Sequence, residues 1–378
     1  GVKLLKGKEV VAASLTELNA EELEGMVNRF RKPFDTAAFS DFDPKLARSL
    51  YEKLLEPVVN KVPSGAPIVV VPDGVMAMLP FEALVVKGEA RWVEAPWGGY
   101  NVEGLTYFGD LHPISYAQSL TALALLDQKL KAGRKASSGV LIIADPVFSR
   151  ADERVRDTKE PISPSSETQP TSPALLGPDK QGASDLEFTR LMETEKLADF
   201  LGELFQRDAA VYSGLKADKE IFLSDIAPAL DRFRFVVFGT HGVYTTELPG
   251  IMEPILALTT WPPGKDGLLR MTEVMSLEMT AELVALTACQ TGLGSQVSGE
   301  GIMSMGRAFL FAGAGSVLMT LWSVDETASV KLVEAFFRQM QGGQTATQAL
   351  LAARSDLRRA GYDHPFFWGA FILVGLAD

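Results

Sequence analysis

Three short, continuously apolar runs between residues 233 and 323 limit the folds open to this chain. They cover residues 233–239, 283–288 and 316–322, and they are separated by stretches with helical periodicity. Runs of this length that are rich in β-branched and aromatic residues are typical of strands in a parallel sheet with both faces covered. The sequence therefore predicts an α/β fold in which a mostly parallel sheet is flanked by helices.

The first two predicted strands lead into residues that can act together as a base and a nucleophile. His241 lies two residues beyond the first run, and Cys289 directly follows the second. Parallel strands end at the same edge of a sheet, where the sites of such folds gather. A neighbouring imidazole can take the proton of a thiol or stabilise the thiolate. A single buried cysteine is more often structural, but the two residues together predict a His241–Cys289 catalytic dyad.

Glycines beside the predicted dyad suggest how an oxyanion is stabilised. Acyl transfer requires backbone N–H groups that point at the carbonyl oxygen under attack, and glycine leaves the backbone accessible. The N–H groups of Gly242 and Cys289 are the candidate donors of an oxyanion hole. The alternative for Gly242 is an ordinary turn.

Three carboxylates are candidates for substrate binding. Asp325 and Glu326 follow the third apolar run, and Glu300 stands between two glycines. A carboxylate at the end of this strand can pair with an arginine or a lysine of a bound peptide. The alternative for Asp325 is capping of the helix that begins there. Glu300 either lines the site or braces its glycine-rich loop.

Composition excludes several classes of function. The 378 residues carry 36 Lys and Arg against 48 Asp and Glu, and the net charge of −12 argues against nucleic acid as the main partner. A single cysteine cannot form an internal disulfide. No signal peptide or apolar run of membrane-spanning length is present, so we expect a cytoplasmic protein. Walker, G-x-S-x-G and H-E-x-x-H patterns are also missing, so neither a cofactor nor a metal site is predicted. His112 and His364 are expected to be turn or packing residues.

Four segments are predicted along the chain. Residues 1–60 form a helical segment, 61–148 an N-terminal α/β half, 149–184 a flexible linker and 185–378 the half that carries the dyad. The linker is rich in Pro, Ser and Thr without apolar periodicity. Arg150, Arg154 and Arg156 at its start make it a candidate for proteolytic nicking. Because the chain starts at Gly1, we expect upstream sequence to be missing.

Local patterns predict further elements in both halves. In the N-terminal half we expect buried strands at 66–71 and 139–144, a hairpin or long loop at 85–110, and a helix at 119–131. Helices and one aromatic strand are expected in the other half, the helices at 185–205, 217–233, 302–311, 327–340 and 345–359 and the strand at 367–374.

Several ordered motifs together resemble one known family, the CHAT domain, a caspase- and separase-like cysteine peptidase module of clan CD that is often fused to tetratricopeptide repeats. The resemblance covers about residues 45 to 376. The motifs are Val237-Phe-Gly-Thr-His-Gly242, Leu286-Thr-Ala-Cys-Gln-Thr-Gly292, Gly299-Glu-Gly301, Gly306-Arg-Ala-Phe-Leu310, Ala312-Gly-Ala-Gly-Ser-Val317, Thr320-Leu-Trp-Ser-Val-Asp325 and His364-Pro-Phe-Phe-Trp-Gly-Ala-Phe-Ile-Leu-Val-Gly375.

The resemblance implies a caspase-like fold whose catalytic residues correspond to His241 and Cys289. It also implies that the N-terminal half is a catalytically silent pseudo-protease, and that residues 1–44 join the domain to upstream tetratricopeptide repeats. In related separases, an acid after the Leu-Trp strand holds the basic residue before the cut, and either Asp325 or Glu326 matches that place. The sequence departs from many relatives at Gln290, where they have Glu.

From the residues and the resemblance together, we predict a bacterial cysteine endopeptidase that cleaves after Arg or Lys. We expect upstream repeats or a regulatory protein partner to activate it, by ordering the Gly292–Gly301 loop. The alternative is a catalytically idle module with the same fold that binds a protein partner. A nucleotide sensor built on the glycine-rich loop is a weaker alternative, because the loop lacks the lysine expected for phosphate.

Overall fold

The computed structural model describes all residues except 7–8, 94–98, 134–137, 156–187, 244–252, 288–298 and 377–378, and it does not describe the side chains of residues 39, 93, 130, 132–133 and 299–304. Within the described residues the strands are β1 (Val2–Lys6), β2 (Glu9–Ser14), β3 (Ile68–Val70), β4 (Val85–Lys87), β5 (Arg91–Val93), β6 (Gly99–Asn101), β7 (Thr106–Tyr107), β8 (Ile114–Tyr116), β9 (Gly139–Pro146), β10 (Ala209–Gly214), β11 (Phe233–Gly239), β12 (Gly242–Val243), β13 (Ile255–Ala257), β14 (Leu268–Arg270), β15 (Leu283–Leu286), β16 (Ser316–Thr320) and β17 (Phe371–Gly375).

The helices alternate with these strands in the second half of the chain. In the described parts they are α1 (Ala20–Asp35), α2 (Pro44–Leu54), α3 (Glu56–Val59), α4 (Phe108–Leu111), α5 (Leu120–Gly133), α6 (Met192–Phe205), α7 (Lys219–Ile221), α8 (Met271–Met275), α9 (Gly299–Ala312), α10 (Glu326–Gln341), α11 (Ala346–Arg359) and α12 (Pro365–Trp368). None of them is long and apolar enough to cross a membrane.

Eight strands form one central sheet in the order β10-β9-β11-β15-β16-β17-β8-β3. The first five run parallel to one another, whereas β17 is antiparallel to β16, and β8 and β3 follow the direction of β17. The carboxyl ends of β9, β11, β15 and β16 therefore share one edge. Strands β8 and β3 of the N-terminal half end at the opposite edge, away from His241.

Helices cover both faces of the sheet, as the apolar runs predict. Phe235 and Phe238 of β11 point to opposite faces because they lie an odd number of residues apart. The ring of Phe235 contacts Phe205 of α6, and the ring of Phe238 contacts Phe309 of α9. The expected α/β fold, with a large and mostly parallel sheet flanked by helices, is confirmed.

Strands of both predicted halves belong to this one sheet. β9 precedes the predicted linker and yet lies between β10 and β11, which follow it. The segment 1–60 also contributes to the common core: Phe34 of α1 stacks on Trp322 with 4.6 Å between ring centroids, and Arg31 donates hydrogen bonds to the carbonyl oxygens of Leu321 and Met78. The division of the chain into four segments stays a prediction.

Some local expectations differ from the structure. The strand predicted as buried at 66–71 is the edge strand β3, in which Val69 is 44% exposed, and Val71 just beyond its end is 42% exposed. The predicted helix at 217–233 is broken into short turns, because Pro228 cannot donate a helical hydrogen bond. The segment 1–60 is not wholly helical, since β1 and β2 pair as a hairpin. The hairpin expected at 85–110 is present as β4 with β7 and β5 with β6.

A buried ion pair links the N-terminal half to the end of the chain. Glu82 is fully buried, and its carboxylate accepts hydrogen bonds from Tyr116 Oη at 2.5 Å and Arg354 Nη2 at 3.0 Å. Arg354 also donates to the carbonyl oxygen of Phe371 in β17. A buried carboxylate of this kind requires such partners, because desolvation without compensation is strongly unfavourable.

Candidate active site

His241 packs in an aromatic cluster just beyond the end of β11. The residue is 3% exposed, and its ring contacts those of Phe148 and Phe188 at centroid distances of 5.4 Å to each. The two phenylalanine rings also contact each other, at 5.2 Å, so the three rings form a triangular cluster. Phe148 follows β9, the strand next to β11, so adjacent strand ends supply both the histidine and one of its walls. The predicted location of His241 at the carboxyl edge of the sheet agrees with the structure.

A backbone carbonyl fixes the tautomer of this histidine. The Nε2 atom of His241 lies 2.6 Å from the carbonyl oxygen of Thr189, and a carbonyl can only accept, so Nε2 carries the proton. In the neutral ring, Nδ1 is then left as the acceptor. Burial lowers the pKa of His241 from its ordinary value, although the hydrogen bond to Thr189 opposes that shift. The neutral imidazole that a general base requires is thus favoured near pH 7.

Gly242 begins the short strand β12, and the pairing of this strand directs its N–H group. The N–H of Ala257 donates to the carbonyl oxygen of His241 at 2.8 Å, and Gly242 faces Leu256 in the register with β13. This pattern makes Gly242 and Leu256 a non-hydrogen-bonded pair of an antiparallel ladder. The N–H of Gly242 therefore points away from β13.

Strand β15 approaches the same edge beside β11. Phe238 is paired with Leu286 in parallel register, and Thr287 donates from both its N–H and its hydroxyl to the carbonyl oxygen of Phe238, at 3.0 and 3.3 Å. Cys289, the other predicted member of the dyad, lies outside the described residues, as does most of the loop 292–301. The side chain of Glu300 is likewise not described.

Both acids that follow β16 have partners within the fold. Asp325 is exposed and caps α10, where its side chain accepts from the N–H of Ala328 at 2.8 Å. Glu326 is half-buried, and its Oε1 accepts from the N–H of Glu193 at 2.7 Å. The backbone of Thr194 also binds this carboxylate, while burial raises the pKa of Glu326. Glu326 thereby caps α6, whose own preceding residue provides no side-chain cap.

A charged cluster near His241 was not expected from the sequence. Asp145 is fully buried at the end of β9, and it forms ion pairs with Arg154 at 2.6 Å and Arg190 at 2.8 Å. Arg154 also pairs with Asp152 at 2.5 Å. The position of Asp145 directly after an apolar strand was the one available signal, but its two arginines lie 9 and 45 residues away in sequence.

The start of the predicted linker 149–184 belongs to this cluster. Residues 156–184 lie outside the described residues, and so does Arg156. Arg154, which was expected to be open to proteases, instead binds two carboxylates, because a short 3-10 turn at Glu153–Val155 brings it back towards β9. The expectation of an accessible cleavage position at Arg154 is therefore not supported.

The remaining histidines have structural contacts. His112 is buried with its Nδ1 atom 2.9 Å from the carbonyl oxygen of Ala66, and His364 caps α12 by accepting from the N–H of Phe366. In the part of the chain that the structure describes, no three His, Cys, Asp or Glu side chains are grouped so as to hold a metal ion.

Comparisons with known proteins give similarities of different extent. Tetratricopeptide repeat protein 28 of Homo sapiens is 33% identical over 120 residues, which cover 32% of this chain and 5% of that protein, so the chain spans a small part of this relative. Among solved structures, the separase–securin complex of Saccharomyces cerevisiae is 14% identical, with a TM-score of 0.43 over 82% of this chain and 16% of that one.

A complex of the pro- and mature domains of RgpB from Porphyromonas gingivalis is 10% identical, with a TM-score of 0.44 over 94% of this chain and 76% of that one. The family comparison covers far more of the sequence than the relative does. The sequence model of the CHAT domain matches residues 44–376. Because this match includes most of the chain, the protein belongs to the CHAT domain family.

Proposed function

We propose that this chain is a cysteine endopeptidase in which His241 and Cys289 form the catalytic dyad. The observation that carries the proposal is the fixed tautomer of His241 beside the end of β15. Phe238 and Leu286 are paired, and His241 and Cys289 each follow a member of that pair by three residues. If both chains run on in parallel for these three residues, the thiol of Cys289 and the imidazole of His241 come to the same part of the sheet edge.

In the proposed reaction, the Cys289 thiol gives its proton to Nδ1 of His241, and the sulfur attacks the peptide carbonyl. The N–H groups of Gly242 and Cys289 stabilise the resulting oxyanion. The tetrahedral intermediate collapses to a thioester as the leaving amine takes the proton from His241. Water then gives a proton to His241 and attacks the thioester, and the acid product leaves as the thiol regains its proton.

We further propose that cleavage follows Arg or Lys and that Asp325 provides the charge that selects them. Asp325 and Glu326 lie at the same strand end, but Glu326 is engaged with the N-terminus of α6. Asp325 is exposed and caps α10 through one carboxylate oxygen, Oδ1. A bidentate pair with an arginine would compete with this cap, whereas a single contact with a lysine or arginine would not. Glu300 remains a candidate for lining the site.

Labelling of the thiol tests the proposal, because Cys289 is the only cysteine of the chain. An arginyl acyloxymethyl ketone should add once per chain to the wild type and not to Cys289→Ala, as read by intact mass. His241→Ala should react at least about 100-fold more slowly, since general acid–base catalysis contributes factors of this size. A matched aspartyl ketone serves as the control for specificity. Absence of any adduct on the folded wild type, with ready alkylation after unfolding, would refute the peptidase.

Activation by a partner is a part of the proposal with its own test. We propose that a protein partner, or upstream tetratricopeptide repeats, completes the loop that follows Cys289. The similarity to tetratricopeptide repeat protein 28, which is named after such repeats, supports this part of the proposal by analogy. Labelling rates should then rise when the chain is measured within its longer natural polypeptide. Equal rates in both forms would contradict the need for activation.

One observation favours the alternative of an idle protein-binding module. His241 is only 3% exposed and packs against two phenylalanine rings, which leaves little imidazole surface open to a substrate. An idle module would bind its partner equally well with Cys289→Ala and would show no dependence of labelling on His241. The ketone experiment distinguishes the two functions directly.

A further inference from the structure

We infer that Asp145 and Arg190 are positioning residues that hold His241 in its reactive tautomer, an inference that rests on the proposed peptidase function. Neither residue needs to touch the substrate. They act through Thr189, whose carbonyl oxygen binds Nε2 of His241. Arg190 directly follows Thr189 in the chain. When the guanidinium of Arg190 is held in one place, the peptide group that carries the Thr189 carbonyl has less freedom to rotate.

The contact between Arg190 and Asp145 has the geometry of a fixed fork. Nε of Arg190 lies 3.0 Å from Oδ1 of Asp145, and Nη2 lies 2.8 Å from Oδ2. Two parallel hydrogen bonds define direction as well as distance, which a single charge contact does not. The Arg190 side chain is 20% exposed, whereas the Asp145 side chain is fully buried, so the carboxylate is the fixed end of the pair.

The backbone at Asp145 shows why the carboxylate stays in place. The pairing of β9 with β10 shifts register between Ser213 and Gly214, opposite the step from Ala144 to Pro146. At this bulge Asp145 has a φ of +47°, an unusual value for a residue other than glycine. Its N–H donates to the hydroxyl of Thr194 at 3.2 Å. Such a conformation persists where surrounding contacts determine it.

Charge balance requires both arginines to stay close. Two buried carboxylates, of Asp145 and Asp152, face the guanidinium groups of Arg154 and Arg190, and the exposed Glu153 and Glu195 also pair with Arg190. Without the negative charge of Asp145, the two guanidinium groups would repel each other near a buried amide. Arg190 would turn towards its exposed partners Glu153 and Glu195 and shift the Thr189 peptide group with it. His241 would then lose the acceptor that keeps its proton on Nε2.

Asp145, Arg190 and Thr189 would affect catalysis through the tautomer of His241. When Nε2 has no fixed acceptor, the proton can occupy Nδ1, and the ring no longer accepts the thiol proton on that side. We expect Asp145→Asn and Arg190→Gln to lower kcat about 100-fold, as small displacements of catalytic groups do, with little change in KM. Arg190→Lys keeps the charge without the fork and should recover only part of the loss.

Alkylation of the single cysteine by iodoacetamide as a function of pH tests the inference. In the wild type, Cys289 should titrate below the ordinary thiol value of about 8.5, and His241→Ala should return it to that value. Arg190→Gln and Asp145→Asn should also raise the pH midpoint of alkylation towards that value. In both variants, 15N spectra of the His241 ring should show a protonated Nδ1. Glu195→Gln, which removes an exposed partner of the same guanidinium, is the matched control and should change neither property.

The outcomes separate this inference from the proposed function. If the pH midpoint of Cys289 alkylation in the wild type has the ordinary thiol value and does not change in His241→Ala, the proposed dyad is refuted, and the inference is refuted with it. A depressed wild-type midpoint that is sensitive to His241 but unchanged in folded Arg190→Gln and Arg190→Lys would overturn the positioning role alone. If Asp145→Asn does not fold, as judged by circular dichroism, the two Arg190 variants decide the matter.

Discussion

The Nε2 atom of His241 donates a hydrogen bond of 2.6 Å to the carbonyl oxygen of Thr189, a residue 52 positions earlier in the chain. Main-chain carbonyls cannot change their protonation state, so this contact defines the neutral tautomer without adding a charge to the site. It also joins the histidine to the segment that α6 and Arg190 hold. The orientation of His241 therefore depends on contacts at the start of α6 as well as on β11.

Folding stability should fall in mild acid because of His241. Burial lowers the pKa of this residue in the folded state, whereas the unfolded chain has a value of about 6.5. The unfolded state thus binds the proton more readily, so the contribution to stability is present above about pH 6.5 and is lost as the pH falls towards the folded pKa. Urea unfolding at pH 7.5 and 5.5 should reveal a larger loss for the wild type than for His241→Gln. The same pH dependence in both proteins would exclude this origin.

Glu326 should matter for stability more than for specificity. Removal of a capping side chain typically costs 0.5–2 kcal/mol, so Glu326→Ala should lower the free energy of unfolding by about 1 kcal/mol. Glu326→Gln keeps an acceptor for the N–H of Glu193 and should lose less. Urea titration measures both variants. A loss of the preference for Arg or Lys in Glu326→Gln, at unchanged stability, would instead make Glu326 the specificity residue.

Asp325 should determine the preference for a basic residue before the cleaved bond. Asp325→Asn retains an acceptor for the N–H of Ala328 but removes the charge, so α10 stays capped. A hydrogen bond between charged groups contributes about 1.5–3 kcal/mol, so kcat/KM for an arginyl peptide should drop tenfold or more. Rates on a matched peptide with an uncharged residue at that position provide the comparison. If the ratio of kcat/KM between the arginyl and the uncharged peptide is the same for the wild type and Asp325→Asn, Asp325 does not determine this preference.

Arg354 should be among the residues whose loss is most damaging to the fold. Arg354→Leu leaves the carboxylate of Glu82 buried without its cation, a change that typically costs 3–5 kcal/mol. The double variant Glu82→Leu with Arg354→Leu removes both charges and should recover part of that loss. Urea unfolding of the two proteins tests the interpretation. A double variant less stable than Arg354→Leu would contradict it.

The sequence predicted the elements whose signals are local. The strand predicted at 233–239 matches β11 at both ends, because an apolar run there is bounded by charged residues and by Gly-Thr-His. By contrast, the strand predicted at 367–374 begins later, since Pro365 and the cap by His364 form α12 first. Neither the antiparallel direction of β17 nor the edge position of β3 is encoded in apolar runs.

The candidate site was predicted only in part, for a related reason. His241 was found because a lone imidazole after a buried strand is visible in the sequence. Thr189 acts through its backbone, which no side-chain pattern can indicate. Glu326 caps α6 by binding the N–H of Glu193, 133 residues away, and Asp145 depends on a bulge that brings two distant arginines together. Such contacts follow from tertiary structure, and short-range spacing does not reveal them.

The position of β9 between β10 and β11 has a consequence for the integrity of the molecule. Two separately expressed fragments, residues 1–170 and 171–378, would each lack neighbours for several strands of the sheet. Neither could complete its hydrophobic interior alone, whereas mixing them would restore the ladder from β10 to β11 and the pairing of β8 with β17. A polypeptide that is cut between β9 and β10 should accordingly remain associated and behave as a noncovalent heterodimer.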